Sequence, residues 1–239
     1  TIIGGTTTLT GSGTAASTGA WVSSAQGVAT VVSGVVTGVS AGTTNITYTT
    51  SSGCSVTETV TIYAMPTITS GGVSGPQEVC AGSTVDFDGS GTAASSSPWT
   101  SSNGAVATVN TNGLVTGVSA GTATITYTDN NGGTASQTVT VHALPSVSAG
   151  SDQTVCAGTS VTLSGAGATS YSWDNGVTNG VSFIPTTTTT YTVTGTDGNG
   201  CVNTDEVVVT VNPIPTISNL ADVCVGTTLT LAGSGTASS

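Results

Sequence analysis

The stretch Gly34-Val35-Val36-Thr37-Gly38-Val39-Ser40-Ala41-Gly42-Thr43 returns as Gly113-Leu114-Val115-Thr116-Gly117-Val118-Ser119-Ala120-Gly121-Thr122, 79 residues later and with one substitution. The same offset carries Tyr48 to Tyr127 and Pro66 to Pro145. So long and faithful an internal period marks a tandem array of folded units. Inside the phrase, short Val/Leu/Thr runs are cut by glycines, which alternates strand and turn signals. The repeat therefore reads as strands joined by tight turns.

Outward from Gly113 the pattern continues. Ser83–Phe87, Trp99–Ser101, Val106–Asn110, Leu114–Thr116, Ala123–Tyr127 and Ala135–Val141 read as short strands. The last two alternate polar and apolar residues. Asn112-Gly113 and Asn130-Asn131-Gly132-Gly133 supply hairpin turns. Such a series predicts an all-β fold of tandem immunoglobulin-like β-sandwiches in an extended array. The units fall at 1–66, 67–145, 146–215 and 216–239. The first lacks the residues that precede Val79 in the second, which predicts a missing first strand. The third keeps Val155-Cys156-Ala157-Gly158 at its start but has its own middle, with Tyr171-Ser172-Trp173 and Thr187–Tyr191. The fourth begins with Val223-Cys224-Val225-Gly226 and is too short for a core, so the array is expected to continue. Ala64-Met65-Pro66, Ala143-Leu144-Pro145 and Pro213-Ile214-Pro215 are the junctions. Proline fixes φ and removes a donor there, which predicts a stiff rod.

Composition narrows the function. The 239 residues contain no Lys, no Arg, 11 acidic residues and one His. Without cations the chain cannot neutralise phosphates, which argues against nucleic acid and anionic membranes as partners. Schiff-base lysine, guanidinium clamps and a Lys–Asn isopeptide bond are all unattainable. No apolar run is long enough for a membrane helix.

The segment Val106–Val109, Gly113–Val118, Gly121-Thr122 and Ile125-Thr126-Tyr127 resembles the bacterial Ig-like group 2 domain, and the first unit repeats it. The third unit looks like the PKD-like or Ig-like modules of Bacteroidota surface proteins, through Trp173, Pro185, Thr187–Tyr191 and Gly200-Cys201. Together they are similar to the very large repetitive adhesins that gliding bacteria export by type IX secretion. That resemblance implies a non-catalytic stalk or adhesin at the bacterial cell surface. Its partners would be extracellular surfaces or polysaccharide, other copies of the same protein, or outer-membrane motility machinery. A filament subunit assembling by strand donation and a carbohydrate-binding module are the alternatives.

Few residues offer chemistry. Cys156 precedes the first long strand of the third unit and Cys201 sits in its last hairpin, which predicts a Cys156–Cys201 disulfide at one end of the sandwich. Cys54 and Cys80 lack partners at the matching positions and are expected to be unpaired. Cys224 is expected to be unpaired within this chain. His142 takes the slot of Tyr63 and Asn212 and reads as a surface residue with no catalytic role. Asp86 with Asp88, Asp129 with Asn130 and Asn131, and Asp197, Asn199 and Asp205 are oxygen-rich. The last trio is the candidate Ca²⁺ site, against the favoured account in which these side chains bond their own backbone. No other cofactor or metal is expected. Trp21, Trp99 and Trp173 occupy equivalent places and read as core, not as sugar platforms.

Overall fold

The computed structural model describes residues 1–218, 225 and 232–234. By compactness the chain divides into two bodies, Thr1–Ala143 and Leu144–Ser239. Strand ladders and apolar cores further separate the first body into two modules, and among the described residues every element is a strand or a turn.

In the first module β1 (Thr6–Thr8), β2 (Trp21–Ser23), β3 (Ala29–Val32), β4 (Val35–Gly38), β5 (Gly42–Thr49) and β6 (Ser55–Ile62) form two sheets. Their orders are β1-β4-β3 and β2-β5-β6. Ile46, Ile62, Val36 and Ala29 fill the space between.

The second module adds elements to the same plan. It runs β7 (Ile68–Thr69), β8 (Gln77–Cys80), β9 (Thr84–Asp86), β10 (Asp88–Gly89), β11 (Trp99–Ser101), β12 (Ala107–Val109), β13 (Leu114–Gly117), β14 (Gly121–Thr128) and β15 (Thr134–His142). One sheet has the order β11-β14-β15-β8 and the other β12-β13-β9, with β7 paired to β10. Along β14 the odd positions Ala123, Ile125 and Tyr127 are buried and the threonines between them face out, as a period of two requires. The β12–β13 turn depends on Gly113, whose φ of 92° is left-handed and whose missing side chain lets Phe87 O approach. Gly34 holds the same place in the first module, with φ of 85°. The repeated phrase is thus the turn glycine, the whole of β4 or β13, and the first residues of β5 or β14 in each copy.

The third module contains β16 (Gln153–Cys156), β17 (Val161–Thr162), β18 (Ser170–Trp173), β19 (Ser182–Phe183), β20 (Thr189–Thr196) and β21 (Val202–Asn212). Its main sheet is β16-β21-β20-β18, matching β8-β15-β14-β11. Its core is built on Leu163, Tyr191, Val193, Val207 and Val209. Beyond it β22 (Thr216–Ser218) pairs antiparallel with β23 (Ala232–Ser234). Cys224 lies outside the described residues. The alternating antiparallel sandwiches with a parallel strand at one edge make the chain a tandem immunoglobulin-like all-β protein.

Candidate functional site

The cysteines depart from the expectation. Cys54 and Cys156 are free, exposed thiols. Cys80 and Cys201 each carry a disulfide. The Cys156–Cys201 bond is therefore not made, and Cys80 is not unpaired. Strand direction supplies the reason. β16 pairs parallel to β21, which sets Cys156 opposite Asn212, while Cys201 comes just before β21 begins at Val202. Eleven residues of strand at ~3.3 Å each put them roughly 35 Å apart, against a Cα limit of about 7 Å for a bridge. The two residues sit at opposite poles of one sandwich. Cys80 occupies the corresponding pole position in the second module, level with His142 on β15. Cys54 sits before β6, at the pole that Cys201 occupies in the third module.

The oxygen-rich turns spend their carboxylates on backbone. Asp197 Oδ1 accepts from Asn199 N and Cys201 N, both at 2.8 Å. Asp129 repeats this with Asn131 N at 2.9 Å and Gly133 N at 2.7 Å, and is itself buried. Asp205 lies on β21 rather than in the turn, and its Oδ2 accepts from Ala149 N at 2.8 Å. The bonds from the Ala149 and Glu206 amides hold its carboxyl below the ordinary range, against a smaller opposing effect of desolvation. The structure thus gives Asp197 and Asp205 separate backbone partners, and Asn199 contributes its amide N to the Asp197 turn. Among the described residues no group of three His, Cys, Asp or Glu side chains converges.

His142 Nε2 lies 3.1 Å from Glu78 Oε2, a surface pair across β15 and β8. The strand hydroxyls form cross-strand contacts, such as Thr126 Oγ1 with Ser136 Oγ at 2.9 Å.

The three tryptophans differ in depth. Trp99 is buried in its core, 4.7 Å from Tyr127 between ring centroids. Trp21 meets Tyr48 at the same 4.7 Å but is only half-buried. Trp173 is also half-buried, packs against its core, and donates Nε1–H to Asn179 Oδ1 at 3.0 Å. In the first two modules a glycine lies on the tyrosine ring. A Cβ on Gly89 would stand 2.6 Å from Tyr127, and one on Gly11 2.5 Å from Tyr48. Burial, with a smaller contribution from the Asp129 charge, raises the Tyr127 hydroxyl above its ordinary pKa. A groove that sequence reasoning missed borders Trp21 and Tyr48 in the first module.

No curated protein matches the chain. Among solved structures, a C-terminal 282-residue fragment of intimin, in complex with the intimin-binding domain of its translocated receptor, is 22% identical with TM-score 0.38. The match covers 53% of this chain and 53% of that fragment, so the chain spans about half its length. Domains 4 and 5 of the S-layer protein SbsC are 24% identical with TM-score 0.23, covering 51% of this chain and 69% of that one. The eight N-terminal Ig domains of Down syndrome cell adhesion molecule are 17% identical with TM-score 0.27, covering 78% and 35%. Residues 76–141, the body of the second module, match the family model of the bacterial Ig-like domain (group 2).

Proposed function

We propose that this chain is a non-catalytic structural segment of an extracellular bacterial surface protein, serving as stalk or adhesin. The observation that carries the reading is the contrast between framework and side chains. The turn glycines and alternating core positions recur at Gly34 and Gly113, and at Ile46 and Ile125. By contrast the polar residues change from module to module, as at Tyr63, His142 and Asn212. A protein that keeps its strands and varies its surface is built for spacing and multiplicity. The bacterial Ig-like match in the second module supports a surface role. The disulfide-bonded state of Cys80 and Cys201 fits an oxidising compartment. Complete absence of Lys and Arg removes the sites that trypsin-like proteases cut outside the cell.

The finer reading follows the family resemblance. The segment belongs to a large repetitive adhesin of a gliding bacterium, exported by type IX secretion. It meets extracellular surfaces, polysaccharide, or further copies of itself. The free thiols provide the test. A membrane-impermeant maleimide applied to intact cells of the source organism should label Cys54 or Cys156. Labelling that appears only after lysis would overturn the extracellular reading.

A further inference from the structure

Six Asn-Gly pairs occur in the chain, beginning at Asn103, Asn112, Asn131, Asn175, Asn179 and Asn199. In such a pair the glycine nitrogen can attack the asparagine side-chain carbon, because glycine carries no side chain to crowd the approach. The fold treats the six differently. Four of the glycine nitrogens are committed to hydrogen bonds. Gly113 donates to Asn110 O at 3.2 Å, Gly132 to Asp129 O at 3.2 Å, Gly180 to Leu163 O at 2.8 Å and Gly200 to Asp197 O at 3.3 Å. At Asn175 the side chain is itself tethered, with Nδ2 donating to Thr190 O at 3.4 Å, and the backbone is left-handed with φ of 52°.

Asn103-Gly104 is the exception. It lies in the exposed turn between β11 and β12. Gly104 N has no acceptor among the described residues, and nothing stands within 4 Å of where a side chain would be. The turn is held at Asn103 instead, whose carbonyl accepts from Val106 N at 3.1 Å and Ala107 N at 3.0 Å. Ala105 N donates to Asn103 Oδ1 at 3.1 Å, which folds the side-chain amide back toward the peptide unit of Gly104. Negative charge that builds on Oδ1 during attack at Cγ therefore meets a donor already in place. Asn110 makes a similar turn, with Asn112 N on its Oδ1 at 2.9 Å, but Thr111 follows it and its branched side chain crowds the nitrogen.

We propose that Asn103 is a spontaneous modification site, at which this turn converts asparagine to aspartate and isoaspartate with water as the only co-reactant. The Gly104 nitrogen gives its proton to solvent and bonds to Asn103 Cγ. The side-chain nitrogen leaves as ammonia, and a cyclic imide remains. Water adds to one of the two imide carbonyls and breaks its bond to nitrogen. One opening leaves aspartate. The other leaves isoaspartate, whose backbone runs through the former side chain. Either product adds a negative charge to the turn. Isoaspartate also takes the Asn103 carbonyl out of the main chain, where it anchors Val106 and Ala107 at the start of β12. The first module has Ala25 in this place and cannot undergo the change. This chemistry does not depend on the stalk reading.

The test ages the folded chain in heavy-oxygen water at mildly alkaline pH and follows all six sites by peptide mapping, with a protease that needs no Lys or Arg. Asn103 should convert first and take up the label. It should lead Asn112, Asn131, Asn179 and Asn199 by at least about fivefold, the ratio expected when their glycine nitrogens must first give up a hydrogen bond. Asn175 should also lag. In urea, where the turn is lost, the six rates should converge. Gly104→Ala, which the open space accommodates, should slow Asn103 at least about tenfold in the folded chain. Equal rates at all six sites of the folded chain, another site in the lead, or a lead for Asn103 that persists in urea would overturn the proposal. So would an unconverted Asn103 while the urea sample converts, a mass gain without the label, or a Gly104→Ala chain that converts as fast.

Discussion

At the residue scale, the cysteines show where local reading of a sequence stops. Spacing placed Cys156 before the first long strand and Cys201 in the last hairpin; Cys201 does come just before β21, whereas Cys156 is itself the last residue of β16. What spacing could not supply was the parallel register of β16 on β21, which sends Cys156 to the far pole. Alkylation of the unfolded, unreduced chain should therefore modify Cys54 and Cys156 and leave Cys80 and Cys201 in cross-linked peptides. A cross-linked Cys156 would contradict the register. The turn aspartates were more legible, because an Asx turn is a local event that the residue types announce. Asp205 is different, since its partner Ala149 is 56 residues away. Its carboxyl is lowered in the folded state, so the stabilisation is complete above the ordinary carboxylate pKa of ~3.9 and is lost as pH falls through the lowered value. Asp205→Asn should flatten the acid limb of a pH–stability curve for the third module. An unchanged limb would remove Asp205 from that role. Close approach gives a third expectation. Gly89→Ala forces a methyl into the Tyr127 ring and should cost about 1–3 kcal/mol in denaturant unfolding, where Gly104→Ala, with open space around it, should cost far less.

At the scale of elements, legibility followed length and alternation. β14 and β15 were evident because eight and nine residues carry a clean period of two. Their hairpin was evident from Asn130–Gly133. A first strand was expected before Val79, but its division into β7 and β8 was not read. β7 has two residues, and β8 joins its sheet by parallel pairing to β15, which no local pattern encodes. Yet these two elements close the sandwich of the second module, β7 on β10 and β8 on β15. Core substitutions should act within their own module. Ile125→Ala removes a fully buried side chain from the centre of β14 and should destabilise the second module by about 2–5 kcal/mol. Proteolysis by a Tyr/Trp-directed enzyme should then release fragments from that module first. Equal loss of protection in the third module would show that the modules do not fold separately.

At the scale of the whole molecule, the fold class was legible from the 79-residue repeat alone, because a period of that length with strand and turn signals admits few architectures. Function was less legible, since nothing about a sandwich specifies what it carries or touches. The central claim is that the chain works mechanically, as separate sandwiches in series. Single-molecule stretching of the chain under reducing conditions tests this most directly. Each sandwich has its own core, so the chain should give discrete force peaks, one per intact module. The second module, taken as residues 76–141, holds 141 − 76 + 1 = 66 residues and should release roughly 200 Å of added length at ~3.3–3.6 Å per residue, less its folded span. A single cooperative event, or extension at low force without peaks, would contradict the account.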